Sequence, residues 1–257
     1  GGGRGGVFDK WNEDMSQERK PGQPGTLYLI PCPIAEDTPV WDVLPAANRA
    51  VIDSLDYFIV ENVRSARRFL SKAGFGRPID SLEFRELNEH TTDARAVDEM
   101  VRPILAGRSA GVISEAGVPG VADPGALAVA RCHRLGIRVV PLIGPSSIIL
   151  AVMASGLNGQ SFAFNGYLPV KPDERARAIR AFERRAREGQ AQLFIETPYR
   201  NVKLAEQLLQ LCAPQTMLTV ACDLTAPGET ILTRSVADWR RSRLPELNRR
   251  PAIFILG

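Results

Sequence analysis

The stretch Ser114–Gly125, reading SEAGVPGVADPG, follows a short apolar run, Ala110–Ile113, and precedes an apolar-periodic segment that opens near Ala126. Strand, punctuated loop, helix: this order puts a loop at the carboxyl end of a buried strand, where open α/β sheets take their ligands. Gly117, Gly120 and Gly125 permit turns that other residues resist and let a ligand approach the main chain closely. Pro119 and Pro124 stiffen the same loop. Taken alone, the stretch reads equally as a well-punctuated βα connection or as a binding loop, because a glycine-rich loop is a weak motif by itself.

Upstream, Gly25–Ile30 predicts a first strand ending in Pro31-Cys32-Pro33, where two prolines stop the ladder. Asn48–Leu55 predicts a helix and Tyr57–Val60 a strand closed by Glu61-Asn62. A basic helix follows over Arg64–Ala73, with Phe69 and Leu70 on its apolar side and Gly74 as its stop. Residues 77–92 read as loop plus a short strand, and Ala94–Leu105 as helix. Downstream come helix Ala126–Leu135, strand Ile137–Leu142, and a turn through Gly144-Pro145-Ser146-Ser147 into helix Ile148–Ala154. Such alternation of strand and helix is the signature of a largely parallel sheet.

Ser155–Gly159 is polar, glycine-bearing and follows the last of these β–α units, which predicts a domain boundary there. The resulting organisation is a disordered tail over residues 1–24, an α/β domain over 25–156 and a mixed α/β domain over 160–257. In the second domain, strand Phe162–Tyr167 precedes a long basic helix, Asp173–Glu188. Strand Gln192–Glu196, helix Asn201–Leu211, an antiparallel hairpin from Met217–Cys222 and Thr230–Thr233, and strand Ala252–Leu256 complete it.

At 257 residues, with 44% hydrophobic and 24% charged residues, the chain has enough apolar material for a sizeable core and the balance of an ordinary soluble protein. A net charge of +3 permits an anionic partner without arguing for one. Cys32, Cys132, Cys212 and Cys222 stand far apart with no C-x-x-C pair, so they read as buried free thiols in a reducing cytoplasm. Two histidines make metal chemistry a poor reading, and no apolar run approaches the length of a membrane span. There is no G-x-G-x-x-G after the first strand, no Walker loop and no nucleophile elbow, which disfavours the common nucleotide and hydrolase sites. Three strand ends nevertheless carry Gly/Pro loops, and such loops jointly can form one cleft.

The order of those loops also carries a resemblance. Gly25-Thr26-Leu27-Tyr28 with Pro33-Ile34, the SEAGVPGVADPG loop and Ile137–Pro141 with Gly144-Pro145 resemble the tetrapyrrole-methylase superfamily of S-adenosylmethionine-dependent methyltransferases. Gly166-Tyr167-Leu168-Pro169, Glu196-Thr197-Pro198-Tyr199-Arg200 and Asp223-Leu224-Thr225 with Glu229-Thr230 extend the likeness to the second half. Within the superfamily, the chain looks most like the branch of bacterial small-subunit ribosomal-RNA 2′-O-ribose methyltransferases. The resemblance implies two α/β domains with S-adenosyl-L-methionine in the cleft between them, a homodimer, and a ribosomal-RNA or small-subunit substrate.

It further implies a donor pocket. Pro31 and Pro33 would line one wall, and the main chain of Ser114, Glu115, Ala116 and Gly117 with the Ala122-Asp123 corner would hold the amino-acid and ribose ends. Ser146, Ser147, Thr197, Ala221, Cys222, Pro251 and Ala252 would complete it. Asp123 reads equally as an Asx turn with Pro124, and Ser146 or Ser147 as a helix cap. If the acceptor is a ribose hydroxyl, a base must take its proton, and Glu196 and Glu61 each end a strand; ion pairs to Arg200 and Arg64 are the alternative. Arg64, Arg177, Arg180, Arg184 and Arg200 are candidate RNA contacts, against a plain solvated face.

Some positions depart from the branch. Ala35-Glu36-Asp37 stands where Gly-Asn-Leu is usual, Val60-Glu61-Asn62-Val63-Arg64 where Ala-Glu-Asp-Thr-Arg is usual, and Ala226 where a lysine is common. A methyltransferase of a tetrapyrrole or another small molecule, and a donor-binding paralogue without catalysis, are the competing readings.

Overall fold

The computed structural model describes residues 6–16 and 19–257. The chain divides into two compact units, the first ending at Pro145 and the second running Ser146–Gly257. The first unit comprises α1 (Val7–Ser16), β1 (Thr26–Ile30), α2 (Val40–Val43), α3 (Asn48–Ser54), β2 (Tyr57–Val60), α4 (Val63–Lys72), β3 (Glu83–Glu86), α5 (Ala94–Leu105), β4 (Ala110–Ile113), α6 (Gly125–Arg134) and β5 (Arg138–Pro141). Its strands lie in the order β3-β2-β4-β1-β5, every pair parallel.

Period-two alternation sorts the first sheet's side chains onto two faces. Tyr28, Ile30, Phe58, Val60 and Ile113 pack with α3 and α4, whereas Leu27, Tyr57, Ile59 and Val112 pack with α5 and α6. Both faces of β2 and β4 are buried, which is why these strands read as unbroken apolar runs. Parallel strands bring their carboxyl ends to one side, so the loops after β1, β2, β4 and β5 share it.

Helix α1 corrects the expectation of a disordered tail over its own length. Trp11 is 3% exposed and joins the cluster of Val51, Ile52 and Leu55, and Asp14 pairs with Arg138 at 2.9 Å. Trp11, with Met15 against the same core, and the Asp14–Arg138 ion pair anchor a segment whose polar composition suggested nothing to bury. The remainder of that expectation falls partly on residues 1–5 and 17–18, outside the described residues.

The second unit comprises α7 (Ser147–Ser155), β6 (Phe162–Tyr167), α8 (Pro172–Arg187), β7 (Ala191–Ile195), α9 (Asn201–Leu211), β8 (Met217–Cys222), β9 (Thr230–Ser235), α10 (Val236–Arg241) and β10 (Ala252–Leu256). Its order is β6-β7-β10-β8-β9; β6 and β7 are parallel and the other pairs antiparallel, including the β8–β9 hairpin. Phe194, Val220 and Phe254 face α8, α9 and α10, with Phe182, Phe194 and Phe254 stacked at 5.7 and 6.0 Å between ring centres. Leu193, Ala221, Ile253 and Ile255 face α7 through the fully buried Ala151.

That packing moves the boundary between units. The expected break at Ser155–Gly159 lies one helix too late, because α7 covers β9 and β10 and its buried face belongs to the second core. No helix among the described residues is long and apolar enough to cross a membrane.

Candidate functional site

In the first unit, the loops after β1 and β4 are tied by main chain. Cys32 N–H donates to the Gly117 carbonyl at 2.9 Å, and the Cys32 thiol lies 3.7 Å from the Ser114 carbonyl. Gly117 needs its lack of a side chain: φ is +66°, and a Cβ there would stand 3.3 Å from the Pro145 carbonyl oxygen. Gly144 is tighter still, since a Cβ would overlap the Pro31 ring at 2.1 and 2.4 Å. Three strand-end loops therefore pack on one another, and Pro31, Pro33, Ser114, Glu115, Ala116 and Gly117 do come together.

Asp123 resolves in favour of loop bracing by one oxygen. Its Oδ1 accepts from Gly120 N–H at 3.0 Å and Gly125 N–H at 2.7 Å, the Asx turn that the sequence allowed. Its Oδ2 is buried and has no partner among the described residues. Burial pushes this carboxyl up, against the two backbone N–H groups that favour its charge. Ala122, just before it, holds φ at +57°, a strained value for a residue with a side chain.

Glu61 sits at the end of β2, beside the same loop. Its N–H donates to the Ile113 carbonyl at 3.2 Å, and its Oε2 accepts from Glu115 N–H at 3.3 Å. Burial raises its pKa, and the neighbouring Asp123, Glu115 and Glu89 add to the rise, while the Glu115 N–H opposes it. Arg64 is exposed, and no ion pair joins it to Glu61 among the described residues. A groove of about 320 Å³ adjoins the tied loops, lined by Pro33, Ser114 and Ala116 on one side and by Ser65, Arg68 and Lys72 of α4 on the other. Glu36, one of the departures noted above, pairs there with Arg68 at 2.7 Å.

In the second unit the register places Ile195, Cys222 and Ala252 at one end of the sheet, with Ile253 opposite Ile195 and Ala252 opposite Cys222. Glu196 and Thr197 follow β7 at that end. Glu196 is paired, but with Arg175 and not with the nearby Arg200. Its Oε1 accepts from Thr197 N–H at 2.8 Å and from the Thr197 hydroxyl at 3.2 Å, and its Oε2 faces the Arg175 guanidinium at 3.4 Å. Arg175 in turn donates to Gln207 at 2.5 Å. Both oxygens are engaged, so this carboxylate holds the Thr197 main chain and hydroxyl in place. Arg200 instead stacks over Tyr199, 5.1 Å from the ring centre.

Ala221 and Cys222 present no side chain at that end. They are 1% and 0% exposed, on opposite faces of β8, with β9 and β10 paired on either side. Pro251 accepts from Asp223 N–H at 2.9 Å, and Arg250 locks the adjoining loops through Asp223 at 2.7 Å and the Gly228 carbonyl at 2.7 Å. Ser146 caps α7, accepting from Ile149 N–H at 3.3 Å, and Ser147 is the first helical residue.

The basic helix splits as its periodicity requires. Ile179 is buried, and Phe182 and Ala186 pack against the same core. Arg177, Arg180 and Arg184 are exposed, without a carboxylate partner among the described residues. Arg175, the member of that run nearest the strand end, turns inward; no local spacing announces a partner 21 residues away.

The four thiols are all buried and unpaired. Burial pushes Cys32 and Cys212 up to about 12 and Cys132 and Cys222 up to about 11, so all are neutral at physiological pH. We expect an aromatic disulfide reagent to titrate no thiol rapidly in the folded chain and all four after denaturation; a fast-reacting thiol would mean that the core around it opens.

Residues 42–239 match the family of tetrapyrrole (corrin/porphyrin) methylases. A ribosomal RNA small subunit methyltransferase I of Xylella fastidiosa is 30% identical over 91% of this chain and 81% of the relative. One from Vibrio cholerae is 32% identical over 82% of this chain and 69% of the relative. Among solved structures, the methyltransferase CobJ superposes with a TM-score of 0.58 over 91% of this chain and 94% of that one; at 16% identity it shows the fold. With its five parallel strands, its mixed second sheet and its glycine-punctuated strand ends, the chain belongs to the tetrapyrrole methylase family and is a methyltransferase.

Proposed function

We propose that the chain transfers a methyl group from S-adenosylmethionine to the 2′-hydroxyl of a ribose in small-subunit ribosomal RNA. The observation that carries this reading is the likeness to ribosomal RNA small subunit methyltransferases at 30% identity over most of both chains. The first unit fits such a donor. Its strand-end loops are closed by glycines that a Cβ would jam, and the buried Asp123 Oδ2 lacks a partner that a ligand hydroxyl or amine would supply. When bound, S-adenosylmethionine supplies a methyl group already activated on sulfonium.

The residues of this chain do the rest. Pro31 and Pro33 form an apolar wall, and the main chain of Ser114–Gly117 with Ala122 and Asp123 orients the polar ends. In the second unit, main-chain groups at Thr197, Cys222, Pro251 and Ala252, with Ser146 and Ser147, keep the donor-binding role that the resemblance implies. Glu61 takes the ribose proton: its pKa is raised towards the working range of a general base, and its Oε1 has no hydrogen-bond partner among the described residues. Glu196 positions Thr197. The exposed Arg64, Arg177, Arg180 and Arg184 meet phosphates, for which guanidinium geometry is suited. We also infer a homodimer, since Ile149 and Met153, one turn apart on α7, are 48% and 72% exposed and form an apolar pair that a second copy would cover.

Incubating the chain with methyl-labelled donor and, separately, small ribosomal subunits, free RNA and a precorrin-type macrocycle tests the reading. Label is expected in the small subunit as an alkali-resistant 2′-O-methyl nucleotide. A labelled macrocycle with silent RNA would overturn it.

A further inference from the structure

We propose that Tyr167 and Tyr199 form a stacking platform for unpaired nucleobases of the acceptor RNA, at the strand-end edge of the second unit. The proposal rests on the reading that RNA is the acceptor. Of four tyrosines in the chain, Tyr28 and Tyr57 are buried, whereas Tyr167 and Tyr199 are each 63% exposed. No other phenylalanine, tryptophan or tyrosine ring with a described side chain is exposed. Two large rings left in water cost free energy unless something covers them.

Topology puts both at one place. Tyr167 ends β6 and pairs in register with Ile195, the last residue of β7; Tyr199 lies in the turn that follows Ile195 by four residues. Because β6 and β7 are parallel neighbours, the two tyrosines share one end of the sheet. The Tyr199 turn is held: Arg200 N–H donates to the Thr197 carbonyl at 2.8 Å, and Arg249 N–H to the Pro198 carbonyl at 3.3 Å. Thr197 itself donates to Glu196, whose carboxylate Arg175 braces. A rigid turn presenting an exposed ring loses little entropy on binding.

The surroundings choose the occupant. Arg200 lies over the Tyr199 ring, the guanidinium–aromatic pairing on which a base plane also stacks. Helix α8 begins five residues after Tyr167 and carries Arg177, Arg180 and Arg184, exposed and without a carboxylate partner among the described residues, which suit a polyanion. Sequence-tolerant recognition of single-stranded RNA joins these two features, aromatic faces for bases and guanidinium groups for phosphates. An apolar protein partner would not require the second.

The test uses the full chain, small ribosomal subunits and labelled donor, with Tyr167→Ala, Tyr199→Ala and the corresponding Phe variants. Each Ala variant is expected to raise KM for the subunit about tenfold with little change in kcat, and each Phe variant to restore it to within about twofold, because stacking needs the ring and not the hydroxyl. The salt dependence of KM should be unchanged in the tyrosine variants and flatter in Arg177→Ala, which removes a phosphate contact. Melting temperature and calorimetric affinity for S-adenosylhomocysteine serve as fold controls. Unchanged KM in the Ala variants, or Phe variants as impaired as Ala, would overturn the platform. So would an Ala variant whose mass by light scattering falls, which assigns the tyrosines to a second copy. A wild-type chain that labels no subunit overturns the RNA reading itself, and the platform with it.

Discussion

Glu61→Gln is expected to lower kcat by a factor of about 10²–10⁴, the usual contribution of a positioned general base, while leaving affinity for S-adenosylhomocysteine unchanged. The side chain stays nearly isosteric, and the Glu115 N–H keeps an oxygen acceptor. The sign of the pH effect is set by the raised pKa. The carboxylate is the active form, so kcat climbs as pH rises through a value above the ordinary 4.5 of a glutamate, and the Gln variant loses that acid limb. Stability moves the other way. A carboxyl whose folded pKa lies above its unfolded one disfavours folding once both are ionised, so at neutral pH the Gln variant should melt no lower than the parent. Turnover within threefold of the parent, with the acid limb intact, would remove Glu61 from the proton transfer. Glu196→Gln, by contrast, loosens the Thr197 clamp and should raise KM more than it lowers kcat.

Much of this fold was legible because its strands obey simple patterning. Tyr57–Val60 and Ala110–Ile113 are unbroken apolar runs buried on both faces, and both emerge where they were expected. The loop Ser114–Gly125 was legible as a loop with a purpose through its glycines, whose positive φ and close approaches the structure displays. What escaped depends on contacts distant in sequence. Helix α1 spaces Val7, Trp11 and Met15 at helical intervals, but over only ten residues in a polar surround, and its anchor, Arg138, lies 124 residues from Asp14. Helix α7 is apolar on nearly every side, so its sequence could not say which sheet it covers. The partner of Glu196 escapes the sequence for a related reason. Arg200 is close in the chain, but its guanidinium stacks on Tyr199, and Arg175 reaches the carboxylate from the next helix layer. Buried Ala221 and Cys222 show the limit of a resemblance carried over by position: it names a strand end without saying which atoms are presented there.

The same helix that carries the exposed arginines contains the largest expected stability effect. Replacing Glu183 by Ala should destabilise the second unit by about 3 kcal/mol, the scale of losing charge-assisted hydrogen bonds and stranding their buried partners. Glu183 is 5% exposed on the inner side of α8. Its Oε2 accepts from Ala213 N–H and from the Thr216 hydroxyl, both at 2.7 Å, and its Oε1 from Arg187 at 2.8 Å. These bonds fasten α8 to the turn that leads into β8, and the Ala213 N–H has no other acceptor among the described residues. Burial alone would push the carboxyl up; the donors from Thr216 and Ala213, with Arg187, outweigh it and hold the pKa below its ordinary value. A depressed folded pKa gives stability that is complete above about pH 4.5 and is lost as pH falls through the folded value. The gap between parent and Glu183→Ala should therefore be widest near neutrality, about 10 °C in melting temperature for a unit of this size, and should close progressively below pH 4.5. Glu183→Gln separates the parts: it can still accept from one donor, so it should recover some of the loss and none of the pH dependence. Melting curves from pH 3 to 8 measure both, and a gap that stays constant across that range would show that packing, and not the carboxylate, holds α8 in place.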